Sequence, residues 1–169
     1  MGTAYSGDKP DIAIVDDEVE VLQFLVNLLA HDFNVYPFTK GEGLFLHLNR
    51  RLPVDLILLD ADMPAPDGYE ACTRLRLIPE MAEIPVVFMT GHDAMEAKLL
   101  ALELGGADYI SKPLSAPIVL ARVKHHVRLG RALRLIMEQS RLLDQRVAER
   151  TSELSKRNTE LAAELARLA

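Results

Sequence analysis

The stretch VDLILLDADMPAPDG, residues 54–68, joins a short apolar run to an acidic, proline-bearing turn. Leu56, Ile57, Leu58 and Leu59 follow one another without a polar break, and Asp60 ends the run. A strand with one wet face alternates apolar and polar residues. A strand apolar at every position is covered on both faces, as in a parallel sheet wrapped by helices. A buried strand that ends in a carboxylate needs a reason for it, because an ionised carboxylate is costly to desolvate unless it is paired, bound to metal or used in chemistry. The stretch thus predicts a central parallel strand and makes Asp60 the first candidate functional residue.

The same pattern repeats on either side. Short apolar runs occur at IAIV (12–15), NVYPF (34–38), IPVVFMT (84–90) and ADYIS (107–111). Segments with helical period separate them. EVEVLQFLVNLLAH places Val21, Leu22, Leu25, Leu28 and Leu29 on one face. GEGLFLHLNRR, DGYEACTRLRL, DAMEAKLLALELG and SAPIVLARVKHHVRLG read similarly, with Gly105–Gly106 stopping the fourth helix and Ser115 placed to cap the fifth. Five strands alternating with five helices predict βαβ units and a doubly wound five-stranded parallel α/β sheet. The runs at 12–15, 54–60 and 84–90 read as central strands, and NVYPF, which carries a proline, as an edge.

Composition sets the boundaries. The chain has 169 residues, 49% of them hydrophobic, which suffices for one domain with a helical extension and excludes wholesale disorder. No apolar run approaches the roughly 18 residues that span a bilayer. The start, MGTAYSGDKP, has no apolar signal region, so residues 1–10 read as a flexible end, Gly2 as no myristoylation site, and the protein as cytoplasmic without a membrane partner. A single cysteine, Cys72, forms no internal disulfide, and no Cys/His spacing suits zinc. The net charge of −6 argues against direct nucleic-acid binding.

In a doubly wound sheet, sites form beyond the carboxyl ends of the strands. Here those ends carry Asp16-Asp17-Glu18, Asp60, Thr90 and Ser111-Lys112-Pro113. Each alone could cap a helix, start a turn or face solvent, but together they put carboxylates, a hydroxyl and an amine on one rim. Clustered carboxylates repel, and a hard divalent cation such as Mg²⁺, which prefers oxygen ligands, relieves this. Metal and lysine together suit a phosphoryl group. Asp60 then becomes the nucleophile that takes phosphate as an acyl phosphate.

These motifs resemble the receiver domain of two-component response regulators. The resemblance runs from about Asp11 to Leu129 and rests on VDDE after the first strand, LLDADMPAPDG around the acceptor, MTG after the fourth strand and YISKP after the fifth. Thr90 follows Asp60 by 30 positions and Lys112 by 52, and Pro64 and Gly68 stand at the family's offsets. The resemblance implies a flavodoxin-like (βα)5 fold and a phosphoacceptor, not an enzyme in its own right, that takes phosphate from the phosphohistidine of a sensor histidine kinase or phosphotransfer protein. It implies that Asp17 and Asp60 bind Mg²⁺ by side chain, Asp62 by its backbone carbonyl and Asp16 partly through water. Thr90 and Lys112 would contact the phosphoryl oxygens, Tyr109 would be the aromatic switch coupled to Thr90, and Pro113 would be the cis-proline that holds Lys112 over the site. Asp62 and His92 occupy variable positions that tune acyl-phosphate lifetime in a direction the sequence does not give. The pair His125-His126 and the basic run Arg122, Lys124, Arg128, Arg131, Arg134 read as a solvated helix face.

Residues 130–169 contain no proline and no glycine after Gly130, and read as a long helix continuous with the fifth. Its apolar seam is Leu129, Leu133, Ile136, Ser140, Leu143, Val147, Thr151, Leu154, Asn158, Leu161, Leu165 and Leu168, spaced 4 and 3 in turn except for two fours at 143–147–151. That is a coiled-coil seam with one stutter, and Asn158 at an a-type position favours a two-stranded parallel register. The reading is a receiver over 11–129 and a coiled-coil stalk over 130–169 that forms a homodimer, with room for an output domain beyond Ala169, since LLDQRVAERTSEL resembles linkers that join receivers to output domains. Two alternatives compete: a haloacid-dehalogenase-type phosphatase built on Asp60-Ala-Asp62, and a receiver that binds proteins without phosphorylation.

Overall fold

The computed structural model describes residues 9–50, 54–64, 67–91 and 95–168. Gly2 and His92 lie outside them. The elements run β1 (Asp11–Val15), α1 (Val19–Leu29), β2 (Asn34–Phe38), α2 (Gly41–Asn49), β3 (Leu56–Asp60), α3 (Gly68–Leu77), β4 (Val86–Thr90), α4 (Met95–Glu103), β5 (Asp108–Ser111) and α5 (Ala116–Leu168). All strand pairs are parallel, in the order β2-β1-β3-β4-β5. Pro37 therefore sits on an edge strand, where a missing N–H donor is tolerated.

The three inner strands are apolar throughout because successive residues enter different cores. Ala13 and Val15 of β1, Ile57 and Leu59 of β3, and Val86 and Phe88 of β4 pack with Leu44, Phe45 and Leu48 of α2, Ala71, Cys72 and Leu75 of α3, and Ala101 of α4. Their neighbours Ile12, Ile14, Leu56, Leu58, Val87 and Met89 pack on the opposite face with Leu22, Leu25 and Leu29 of α1 and Val119, Val123 and Val127 of α5. The predicted α1 stripe is thus the buried one, with Val21 and Leu28 at its margin. The turn after α4 passes through Gly105, whose φ of 90° lies in the left-handed region that glycine enters without strain. There the Arg76 guanidinium of α3 donates to the Gly105 carbonyl, and also to those of Ala82 and Ile84. One cation thereby ties the end of α4 to the turn before β4.

The basic helix face is not simply solvated. Arg122 and His126 of α5 both reach the Asp108 carboxylate at the start of β5, the latter at 3.0 Å, and His126 is buried. Lys124 pairs with Asp32 at 2.7 Å. Sequence periodicity placed these residues on a helix face but could not show the carboxylates that the turn after α1 and the start of β5 bring to it.

The chain divides into two units, Met1–Gly130 and Arg131–Ala169. Within the second, the helix is regular to Leu168, and Thr151 and Thr159 donate their hydroxyls to the carbonyls four residues before them. Its seam side chains are open to solvent, from 50% exposed at Leu133 to 82% at Leu168. Among the described residues, no helix is long and apolar enough to cross a membrane.

Candidate functional site

The strand order reverses at β1, which pairs with β2 on one side and β3 on the other. Crevices at such a reversal are where doubly wound sheets place ligands. Register then determines which side chains meet there. Val15 lies opposite Leu59, Asp60 opposite Met89, and Thr90 opposite Ser111. The next residue of each strand, Asp16, Ala61 and Lys112, stays in the ladder through amide bonds to Phe38, Met89 and Thr90 carbonyls. Asp16, Asp60, Thr90 and Lys112 therefore share one rim.

Carboxylate oxygens of Asp16, Asp17 and Asp60 lie within 4.8 Å of one another, with Asp16 and Asp60 buried and Asp17 exposed. Burial pushes the Asp60 carboxyl above its ordinary range, and the neighbouring Asp16 charge adds to this. Burial likewise raises Asp16, against the pull of the Glu18 amide, which donates to it at 2.9 Å, and of Lys112. The Lys112 ammonium answers these charges at 3.0 Å from Asp16, 3.3 Å from Asp60 and 3.4 Å from Glu18. Burial works to lower its pKa, but the contacts with Asp16 and Asp60 hold it above the usual lysine range. The Lys112–Pro113 peptide is cis.

The donor set fits Mg²⁺: three carboxylates converge, all ligand atoms are oxygen, and one lysine leaves the buried pair incompletely compensated. The Asp62 amide donates to Asp60 at 3.1 Å, which folds the chain after β3 back over that carboxylate. Gly68, the first residue of α3, lies against that same point: a Cβ on it would stand 2.1 Å from the Asp60 carbonyl oxygen. Asp67 caps the helix by accepting from the Glu70 amide at 2.8 Å.

Tyr109 is half-buried against the core beneath α2–α4, and the Lys98 and Arg122 cations lie 5.1 and 5.9 Å from its ring centre. Two features had no signal in the sequence. Tyr69, which reads as one more apolar position of α3, packs tilted on Phe88 with ring centres 5.2 Å apart. Burial raises its phenol, Asp62, Asp67 and Asp60 add to the shift, and the Thr90 hydroxyl works to lower it. The Asp62 carboxylate, for its part, accepts from the Gly91 amide at 2.6 Å and lies 3.5 Å from the Thr90 hydroxyl.

A parallel sheet of this order, with an acid cluster and a lysine at its carboxyl rim, is the arrangement of a signalling receiver. Residues 12–124 match the response regulator receiver domain, and the chain belongs to that family. It is 34% identical over 158 residues to a protein of Vibrio cholerae named "Probable cyclic di-GMP phosphodiesterase", covering 94% of this chain and 36% of that protein. It is 39% identical over 121 residues to the phosphate regulon transcriptional regulatory protein PhoB of Rhizobium meliloti, covering 70% and 52%. The chain thus spans between a third and about half of the length of these curated relatives. Among solved structures, a response regulator from Chloroflexus aurantiacus superposes with a TM-score of 0.67 at 29% identity, covering 72% of this chain and 99% of that one. The BeF3-activated DrrB receiver domain does so with 0.64 at 30% identity, again over 72% and 99%. Receiver domains are signalling modules of two-component systems that work with histidine kinases or phosphotransfer proteins, and they typically bind Mg²⁺ at an aspartate cluster of the kind seen here. Family membership removes the haloacid-dehalogenase alternative, and the topology agrees, since Asp60 ends the third strand and Met63-Pro64 follow it.

Proposed function

We propose that this chain is a response regulator receiver that accepts a phosphoryl group on Asp60 from a partner's phosphohistidine and transmits the change through its C-terminal helix. The observation that carries the reading is the Asp60 carboxylate itself: 2% exposed, crowded by two further aspartates and held 3.3 Å from a lysine. In the transfer, an Asp60 oxygen forms the new O–P bond as the N–P bond of the phosphohistidine breaks. The departing imidazole nitrogen keeps the electron pair and becomes the neutral ring. Lys112 neutralises charge on the acceptor and the incoming oxygens, and Thr90 donates a hydrogen bond to one of them. Asp16, Asp17, Asp60 and the Asp62 carbonyl would hold Mg²⁺, which supplies further charge neutralisation when bound. Tyr109 and Pro113 complete the switch, with Tyr109 following Thr90 inward and Pro113 keeping Lys112 over the site.

The second unit supports a dimeric output. The exposed seam of Leu133, Ile136, Leu143, Val147, Leu154, Asn158, Leu161, Leu165 and Leu168 suits a second copy of the same helix. On this reading the boundary between receiver and stalk falls at residues 129–130. An output domain carried on the same polypeptide past Ala169 fits the greater length of the two curated relatives. Acetyl phosphate with Mg²⁺ should add one phosphate by intact mass, and Asp60→Asn should take up none. Equal labelling of that variant would remove Asp60 from the role, and no labelling of the native chain by any phosphodonor would leave a receiver that binds proteins without phosphorylation.

A further inference from the structure

Asp62 stands beside the acceptor with its side chain turned toward β4. Its amide is held by Asp60 Oδ1 at 3.1 Å, and its own Oδ2 lies 2.6 Å from the Gly91 nitrogen and 3.5 Å from the Thr90 hydroxyl. Gly91 offers no side chain at this point, and a Cβ there would stand 3.4 Å from the same oxygen. An N–H and an O–H at the end of the strand paired with β3 form a small anion-binding corner next to Asp60. A phosphoryl group on Asp60 brings oxygens with about two negative charges to this rim, and such donors are what stabilises them. In the unmodified chain a carboxylate already occupies the corner.

We propose that Asp62 is a built-in anion that holds the phosphoryl-oxygen donors at the end of β4 in the unmodified state and has to leave them when Asp60 takes up phosphate. This rests on the phosphoacceptor reading of Asp60 and deepens it. A resident carboxylate opposes uptake in two ways: it competes for the Gly91 amide and the Thr90 hydroxyl, and its charge repels the incoming group. It also gives the β4–α4 connection a defined state without phosphate, because the Gly91 amide has a partner both before and after modification. Leaving that partner for a phosphoryl oxygen moves Asp62 while Gly91 stays bonded.

Beryllofluoride with Mg²⁺ serves as the phosphoryl mimic, added to the full chain and followed by amide NMR and calorimetry. Asp62→Ala should bind it about tenfold more tightly than the native chain, the scale of one lost competing charged hydrogen bond. Asp62→Asn, which keeps an acceptor for Gly91 but no charge, should gain less. In the native chain the Gly91 amide proton should stay downfield before and after beryllofluoride. In Asp62→Ala it should start upfield and move downfield only on binding. Equal or weaker binding by Asp62→Ala, or a Gly91 amide that the substitution does not move, overturns the proposal and leaves Asp60 as acceptor. If neither protein takes up beryllofluoride, the phosphoacceptor reading fails and the role of Asp62 falls with it.

Discussion

Replacing Gly68 with alanine tests whether the position of Asp60, the proposed acceptor, depends on one absent methyl group. The added Cβ would lie 2.1 Å from the Asp60 carbonyl oxygen, 2.9 Å from its carbon and 3.0 Å from the Ala61 Cα. All three atoms are backbone of the central strand or the residue after it, so no side chain can swing aside. Restoring ordinary contact requires a retreat of about 1 Å by the start of α3 or by the end of β3, in an interior that is close-packed. Overpacking of this kind typically costs about 1–3 kcal/mol, and rigid partners place Gly68→Ala at the upper end. A displacement of about 1 Å at a reacting group can also slow chemistry by up to about a hundredfold. Gly41→Ala is the control. Its Cβ would meet Ala71 Cβ at 3.8 Å, an ordinary contact, and replacing a glycine where alanine fits should gain about 0.4–1 kcal/mol, chiefly through the unfolded chain. Urea unfolding and the rate of labelling by acetyl phosphate report the two effects. Gly68→Ala within about 0.5 kcal/mol of the native chain, and labelled at the same rate, would refute the reasoning.

Asp60→Asn should raise stability without metal by on the order of 1 kcal/mol, since it removes a buried charge that burial and Asp16 disfavour. The folded-state pKa values of Asp60 and Asp16 lie above the ordinary 3.8, so the penalty for their ionisation is in full force at neutral pH and relieved as pH falls through the raised values. The gain from Asp60→Asn should accordingly shrink in acid, and an equal gain at pH 4 and pH 8 in urea titrations would contradict it. Asp108 works in the opposite sense: burial would raise it, but His126, Arg122 and the Tyr109 amide hold it low, so its contribution is lost as pH falls through that lowered value. Arg76→Ala should destabilise by about 2 kcal/mol, because three backbone carbonyls lose a charged donor together; chemical denaturation checks it, and a change under about 0.5 kcal/mol speaks against the clamp. Asp17→Ala should weaken Mg²⁺ binding by calorimetry while leaving the fold intact, and unchanged affinity would move the ion elsewhere. Replacing Leu154 and Leu161 with glutamate should dissociate the full chain at micromolar concentration in sedimentation equilibrium, each leucine contributing on the order of 2 kcal/mol per protomer; a native chain that is already monomeric would turn the stalk into a docking helix.

What could be read from the sequence follows from period and position. Uninterrupted apolar runs at 12–15 and 56–59 named the central strands because residues on both faces are buried, and strand ends named Asp16, Asp60, Thr90 and Lys112 because parallel register brings those ends level. Gly68 stood at a recognisable offset, but its reason, contact with the Asp60 backbone, needed coordinates. The rest depends on side-chain direction. Asp62 stands two positions after Asp60 in any reading, yet whether its carboxylate points at metal, solvent or Gly91 is set by the turn. Tyr69, Arg122 and His126 looked like ordinary helical positions, because their partners Thr90 and Asp108 are distant in the chain and only folding brings them close.

The reversal of strand order at β1 has a consequence for when the protein becomes competent during its own synthesis. The rim is drawn from β1, β3, β4 and β5, and its lysine is the last part to be made, 52 positions after the aspartate it neutralises. A chain emerging through β3 or β4 carries the acids without their counter-charge, and its parallel ladder still awaits the crossover that adds an edge. Parallel pairing of this kind closes late, because long loops have to be ordered first. On the function proposed above, an incomplete receiver is silent by construction: it holds neither Lys112 nor Tyr109, and a kinase that met it would find no finished acceptor to modify.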